Sequence, residues 1–443
     1  MKKLLLILPI LIVSSYGVSA KNYKGRCGAN LKWQYLSDSR TLYITGTGMM
    51  DDYGVFDEKN KVTPWERFHE LRTVIIGEGV MSVGTYAFEK CMNLERVSFP
   101  RNTPFHIYKN AFRSCPRLDS ITITPGFIDI GNQAFMDCSS LKTLSIENGI
   151  KTIGEAVFAK TLIKDVYLPA SVTSAYGTFQ YCDSLEWIYV APDNPVYTSL
   201  RGWLCSKDTS VLHAVPCNEN GRVKRYNAQL EHTLDSLYDL AKIKAATAPS
   251  ATFDSALHVL DSTIAIVKYV NKMRLEQKLL LVTPPIRKVN SYAITGLIDT
   301  KFLVFGESVE FLYAASILGC KSLISVSFPS SLKSFGFNKR ICMVNCNGLR
   351  QVLIASEKPE LLLRYLVDDN PNGTEAINSS RSIFILDTTL GSSCEWYVPV
   401  TAYEGYKKHP YWGTLNLKPT SKFGQAHLIY WINDNGFYSL MNL

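Results

Sequence analysis

The sequence is poor in the signals that mark catalysis, metal binding or nucleic-acid binding. Its seven histidines are scattered, and none forms HExxH or a close metal-ligand pair. It has no G-x-S-x-G elbow and no phosphate loop, and the GTG at 46–48 belongs to a strand-turn. No metal and no cofactor is implied. No cluster of Lys and Arg stands out despite a formal net charge of +8, so nucleic acid is not an implied partner. Past the first twenty residues there is no hydrophobic run long enough to span a bilayer as a helix. The first twenty read instead as an export signal. Lys2 and Lys3 precede an apolar run from Leu4 to Val13, and Val18-Ser19-Ala20 offers a small-residue cleavage site. The expectation is cleavage after Ala20 and a secreted or cell-envelope location.

What is present is a packed-core composition, with 46% hydrophobic and 12% aromatic residues, organised by a period. The pattern L-x-x-V-x-I recurs as LRTVII from Leu71, LERVSF from Leu94, LDSITI from Leu118 and LKTLSI from Leu141. It continues as IKDVYL from Ile163 and LEWIYV from Leu185, in steps of 23, 24, 23, 22 and 22 residues. Between these lies a second phrase, near I-G-x-x-A-F-x-x-C, as in VGTYAFEKC at 83–91 and IGNQAFMDC at 130–138. The rhythm resumes after an interruption: LVFGESV at 303–309 matches VIIGEGV at 74–80, and Cys-x-x-Leu steps return at Cys320 and Cys346. A unit of this length cannot close its own core, so equivalent positions must stack. Each turn then contributes one short strand whose alternate residues face inward and outward.

Stacking places Cys91, Cys115, Cys138, Cys182, Cys320 and Cys346 in one phase, as rungs of a buried column. Buried thiols acting as small hydrophobes fit this pattern best. Disulfides between rungs would need parallel Cβ vectors, which suit the S–S torsion poorly. No His or second Cys accompanies each rung, as metal ligation would require. The shortened fourth copy, with Lys160 near the expected place, reads as having lost its rung. Cys205 and Cys217 flank a hairpin and are the disulfide candidates.

These phrases resemble the BspA-like leucine-rich repeats of exported bacterial surface proteins. CGANLKW at 27–33, TLYITGTGMMDDY at 41–53 and Pro64-Trp65 are similar to that family's β-hairpin cap. Residues 194–216 resemble its irregular two-stranded unit, and CEWYVPVTAYEGYKKHPYWG at 394–413 resembles its closing segment. The resemblance implies a β-rich α/β leucine-rich-repeat solenoid with an N-terminal β-hairpin cap and, here, an inserted helical hairpin. It also implies a binding module, and carries no catalytic residues. The expected organisation is a signal peptide at 1–20, a β cap at 21–66, repeat blocks at 67–222 and 284–390, and a C-terminal cap at 391–443. The insertion falls at 223–283, where Leu230, Leu234, Leu237 and Ala241, then Leu257, Leu260, Ile264 and Val267, follow helical spacing. The second helix is read as continuing toward Leu281 before Pro284-Pro285.

The outward strand positions can be listed from the register. One column runs Thr73, Arg96, Ser120, Thr143, Asp165, Trp187; its companion runs Ile75, Ser98, Thr122, Ser145, Tyr167, Tyr189. Asp165, Tyr167, Trp187 and Tyr189 therefore gather at the end of the first block, a composition suited to holding protein or sugar. Either this patch is open, or the 194–216 unit or the insertion covers it. The function expected is noncatalytic adhesion to a host or envelope protein or glycan, by a monomer without a membrane span. A hydrolase with its site between insertion and solenoid is the rival, and a structural spacer a third reading.

Overall fold

A turn of some 23 residues leaves its apolar side chains half covered, and the chain buries them by laying each turn on the next. The computed structural model describes residues 21–54, 62–225, 228, 278–282, 285–337, 340–362 and 394–421. The expected signal peptide and nearly all of the expected insertion lie outside these residues.

The first strands, Asn22–Arg26, Leu31–Leu36 and Thr41–Gly46, form an antiparallel meander. Its last strand then pairs in parallel with Thr73–Ile76, Leu42 opposite Val74 and Ile44 opposite Ile76. The cap thus supplies the rung that the first repeat would otherwise lack. Aromatic side chains seal it: Tyr35 stacks on Phe68 at 4.1 Å, and Trp65 Nε1 donates to the Ala87 carbonyl at 2.7 Å.

The front strands of the first block follow in parallel. Thr73 stands opposite Arg96, Thr143 opposite Ser120, and Asp165 opposite Trp187. A second stack of short strands, Ser82–Val83, Phe105–Ile107, Phe127–Ile130 and Thr152–Ile153, forms the back. The A-F-x-x-C phrase between front and back is not a strand. It turns through paired left-handed residues four apart: Tyr86 and Lys90, Asn110 and Ser114, Gln133 and Asp137. Side chains at positive φ are costly. The cost is offset by hydrogen bonds from turn to turn, Phe88 N–H to Ala111 O at 2.7 Å and Phe112 N–H to Ala134 O at 2.8 Å. Inside this wall Phe88, Phe112, Phe135, Phe158 and Phe179 continue from Trp65 as a near-parallel ring ladder, spaced 4.9 to 6.4 Å.

The cysteines beside this ladder do more than fill space. Cys115 Sγ donates to the carbonyl of Phe88 at 3.1 Å, Cys138 to Phe112 at 3.2 Å, and Cys182 to Phe158 at 3.1 Å. Each thiol satisfies a buried carbonyl on the turn before it. In the fourth turn no cysteine stands on the rung, and the residue in its place is Thr161 instead of Lys160. Thr161 stands three residues after Phe158, is 2% exposed and donates to the Phe158 carbonyl at 2.8 Å. Its hydroxyl stands in the thiol's place but bonds within its own turn instead of to the turn before, and one loop residue is missing. None of the eleven cysteines is joined in a disulfide. The expected Cys205–Cys217 disulfide is therefore absent, because the two sit in different cores. Cys205 packs with Trp203 and Leu212, while Cys217 donates to Thr295 O at 3.0 Å.

A meander of Tyr197–Leu200, Trp203–Ser206 and Val211–Ala214 closes the first block. Its third strand pairs in parallel with Lys288–Val289, so the second block stacks directly on it. The second block's front sheet is Leu279–Val282, Phe302–Phe305, Ser325–Phe328, Gln351–Ile354, Glu395–Pro399 and Asn416–Thr420. Leu279–Val282 is thus a strand, not the end of a helix as its sequence suggested. Four apolar residues in a row serve a strand buried on both faces as well as a helix. At the far end the helix Tyr403–Lys408 closes the core, with Tyr406 Oη donating to Ser356 O and Trp412 Nε1 to Pro359 O.

Candidate functional site

The front sheet of the first block turns alternate residues to solvent. Ser120, Thr122, Thr143 and Ser145 are exposed, while Ile121, Ile123 and Ile146 are buried. At its last two rungs the strands Asp165–Leu168 and Trp187–Val190 pair so that Asp165 lies beside Trp187 and Tyr167 beside Tyr189. All four residues picked from the sequence share one face.

Two other segments reach this patch. The turn at Arg201–Gly202 lies on the indole of Trp187, and Gly202 adopts φ +88. A Cβ there would stand 2.8 Å from Trp187 Cδ2, so the position needs glycine on both counts. Residues 219–225 are helical, opened by Asn218, whose Oδ1 accepts from Gly221 N–H at 3.0 Å. From this helix Arg225 spans both rungs, donating to Asp165 Oδ1 at 2.6 Å and to Tyr189 Oη at 3.0 Å. The carboxylate of Asp165 pushes the guanidinium further up from its ordinary range. Trp187 and Tyr189 lie ring to ring at 5.7 Å and are half-buried, whereas Tyr167 is 53% exposed. The patch is therefore neither open nor closed: three members are held, and Tyr167 projects.

The same helix is fixed by a dry ion pair. Arg222 and Glu219 are 4% and 3% exposed, Trp203 Nε1 donates to Glu219 Oε2 at 3.2 Å, and Arg222 also donates to the Arg201 carbonyl. Removing one partner of such a pair leaves a buried charge uncompensated, at roughly 3–5 kcal/mol. The pair locks Arg201–Gly202 and Arg225 into register over Trp187 and Tyr189.

Two other places bring together side chains of catalytic type. In the back stack Ser82, His106 and Asp129 occupy successive rungs, with His106 Nδ1 3.0 Å from Asp129 Oδ2. Ser82 is fully buried and its Oγ accepts the Met50 N–H, so it is a packed hydroxyl and not a nucleophile. A cleft of about 720 Å³ lies beside the cap, lined by Tyr53, Trp65, His69, Tyr86, Glu89 and Cys91. Burial pushes the Cys91 thiol up to about 12, which keeps it from acting as a thiolate near neutrality. Among the described residues no three His, Cys, Asp or Glu side chains gather to hold a metal. Among them, too, no helix is long and apolar enough to cross a membrane.

The family model for the BspA type leucine rich repeat region matches in six copies, over residues 66–186 and 275–361. The gap between the two stretches takes in the last front strand of the first block, the meander and the helix at 219–225. Similar solved structures include a leucine-rich repeat protein from Eubacterium ventriosum, 17% identical over 76% of this chain and 73% of that one, TM-score 0.47. A leucine rich cell surface protein from Faecalibacterium prausnitzii is 16% identical over 93% and 97%, TM-score 0.47. The pneumococcal vaccine antigen PcpA is 14% identical over 90% and 97%, TM-score 0.47. No curated protein sequence matches the chain. By its repeats and the solenoid they build, the chain belongs to the BspA-type leucine-rich-repeat family.

Proposed function

We propose that the chain is an exported, noncatalytic binding or adhesion protein that recognises a host or envelope protein or glycan. The recognition surface is the outward front face of the first block, centred on Tyr167 with Asp165, Trp187 and Tyr189 around it. The observation that carries this reading is Tyr167 standing 53% exposed beside side chains already immobilised by Arg225 and Gly202. Side chains held before contact lose little freedom on binding, which favours affinity from a small patch. A tyrosine with an apolar ring and a polar tip suits either a protein or a sugar partner. Export rests on the Lys2-to-Ala20 segment, and the family is consistent with a role in binding.

The test is retention of the mature chain on arrays of glycans and matrix proteins and on whole envelopes. Tyr167→Ala is expected to weaken binding by about 30-fold, the effect of losing a hot-spot residue of about 2 kcal/mol, with the thermal midpoint unchanged. Replacing Trp187 and Tyr189 together is expected to abolish retention while the chain stays folded. Retention equal to the unsubstituted chain in both variants would remove this face from consideration.

A further inference from the structure

The outward face of the first block carries a stripe of small hydroxyl side chains that ends on Tyr167. Ser98, Thr122 and Ser145 occupy the column that Tyr167 continues, and Ser120 and Thr143 occupy the column beside it; all are exposed. Thr143 stands opposite Ser120 and Ser145 opposite Thr122, with the strands Arg96–Ser98 and Asp165–Leu168 packed on either side of this pair. Among the described residues, no hydrogen-bond partner takes the hydroxyls of Ser98, Thr122, Thr143 or Ser145. Between Arg96 and Asp165 the two columns hold no charged side chain, and the carboxylate of Asp165 is already paired with Arg225.

We propose that the ligand of this face is a neutral, linear glycan laid along the solenoid axis. One sugar ring packs on Tyr167, and the rings that follow exchange hydrogen bonds with the hydroxyls of Ser145, Thr122 and their neighbours. The inference rests on the reading of this face as the recognition surface and narrows it to one class of ligand. Three properties of the stripe favour that class. Serine and threonine contribute little to protein–protein binding, where large aromatic and Arg anchors dominate, and the stripe offers one exposed ring only. Its middle has no cation to pair with the carboxylates or sulfates of an acidic polymer. A sugar matches it in both respects: an apolar C–H face suits an aromatic ring, and a rim of hydroxyls suits side chains that both donate and accept. The shape is linear as well. Rungs about 4.8 Å apart carry the column from Ser98 to Tyr167 over about 14 Å, the reach of a short, unbranched oligosaccharide.

Binding of the full mature chain to immobilised hexasaccharides of glucose, mannose, galactose and xylose tests this, beside polygalacturonate, heparin and collagen. Retention on at least one neutral hexasaccharide is expected, weakened about 30-fold by Tyr167→Ala and largely kept by Tyr167→Phe, which preserves the ring. Thr122→Val combined with Ser145→Ala removes two hydroxyls and is expected to weaken it about 10-fold, with the thermal midpoint unchanged. Retention should also be the same in about 50 and about 500 mM NaCl, since no charge is paired on binding. Tyr167-dependent retention on collagen or an acidic polymer, with none on the neutral hexasaccharides, would overturn the glycan assignment and leave the recognition surface standing. So would neutral-glycan binding that the hydroxyl-deleted variant leaves untouched. Absence of Tyr167-dependent retention on every probe would overturn both readings.

Discussion

The two repeat blocks share one strand register and differ in what they turn outward. TLSI at 143–146 alternates, and its Thr143 and Ser145 are exposed; FLVF at 302–305 does not, and its Phe302 and Val304 are buried. A parallel sheet with one wet face is written as alternation, and a sheet dry on both sides as a continuous apolar run. One fold therefore turns a solvated face outward in its first half and a buried one in its second. The helix at 219–225 marks the boundary, fixed by Glu219 and Arg222 and touching the last open rungs through Arg225.

Breaking that boundary should have the largest effect. Arg222→Ala leaves Glu219 buried without its partner, and a loss of roughly 3–5 kcal/mol is expected in urea unfolding. A loss below about 1 kcal/mol would mean that the pair is wet. The comparison itself is sharpened by a reciprocal exchange of nearly isosteric side chains. Val304→Thr buries a hydroxyl on the dry face and should cost roughly 1–3 kcal/mol. Thr143→Val on the wet face should stay within about 0.5 kcal/mol. Equal costs would erase the distinction between the faces.

The cysteines give a smaller and pH-dependent effect. Burial pushes both Cys205 and Cys217 up to about 12. A thiol in the unfolded chain ionises near about 8.5. The folded state therefore holds protons that the unfolded state releases, and stability falls as pH rises from about 8.5 toward 12. One unit into this window the loss is about 1.4 kcal/mol per thiol. Unfolding measured between pH 7 and 9.5 should show a shallower decline when both residues are changed to alanine. Parallel curves would count against the shifted thiols.

The period was legible in the sequence because stacking forces one residue type into one place: the Phe ladder, the cysteine phase and the outward columns all follow from it. Thr161 escaped because its chemistry, a small donor to a buried carbonyl, is shared by a hydroxyl and a thiol, while a search by residue type sees only cysteine. Leu279–Val282 was misread because an apolar run has no period. Arg225 was invisible for a different reason. It lies 60 residues from Asp165, and only the fold, steered by the Asn218 cap and the Glu219–Arg222 pair, brings them to 2.6 Å. The aromatic patch could be named from register, but its state of cover could not.

Hydroxyl-radical footprinting of the folded, full mature chain, read residue by residue by mass spectrometry, tests the contrast between the faces most directly. Tyr167 is expected to be labelled readily, and Phe302 and Leu353 to be protected until the chain unfolds. Labelling of Phe302 and Leu353 at rates like that of Tyr167 would contradict the account.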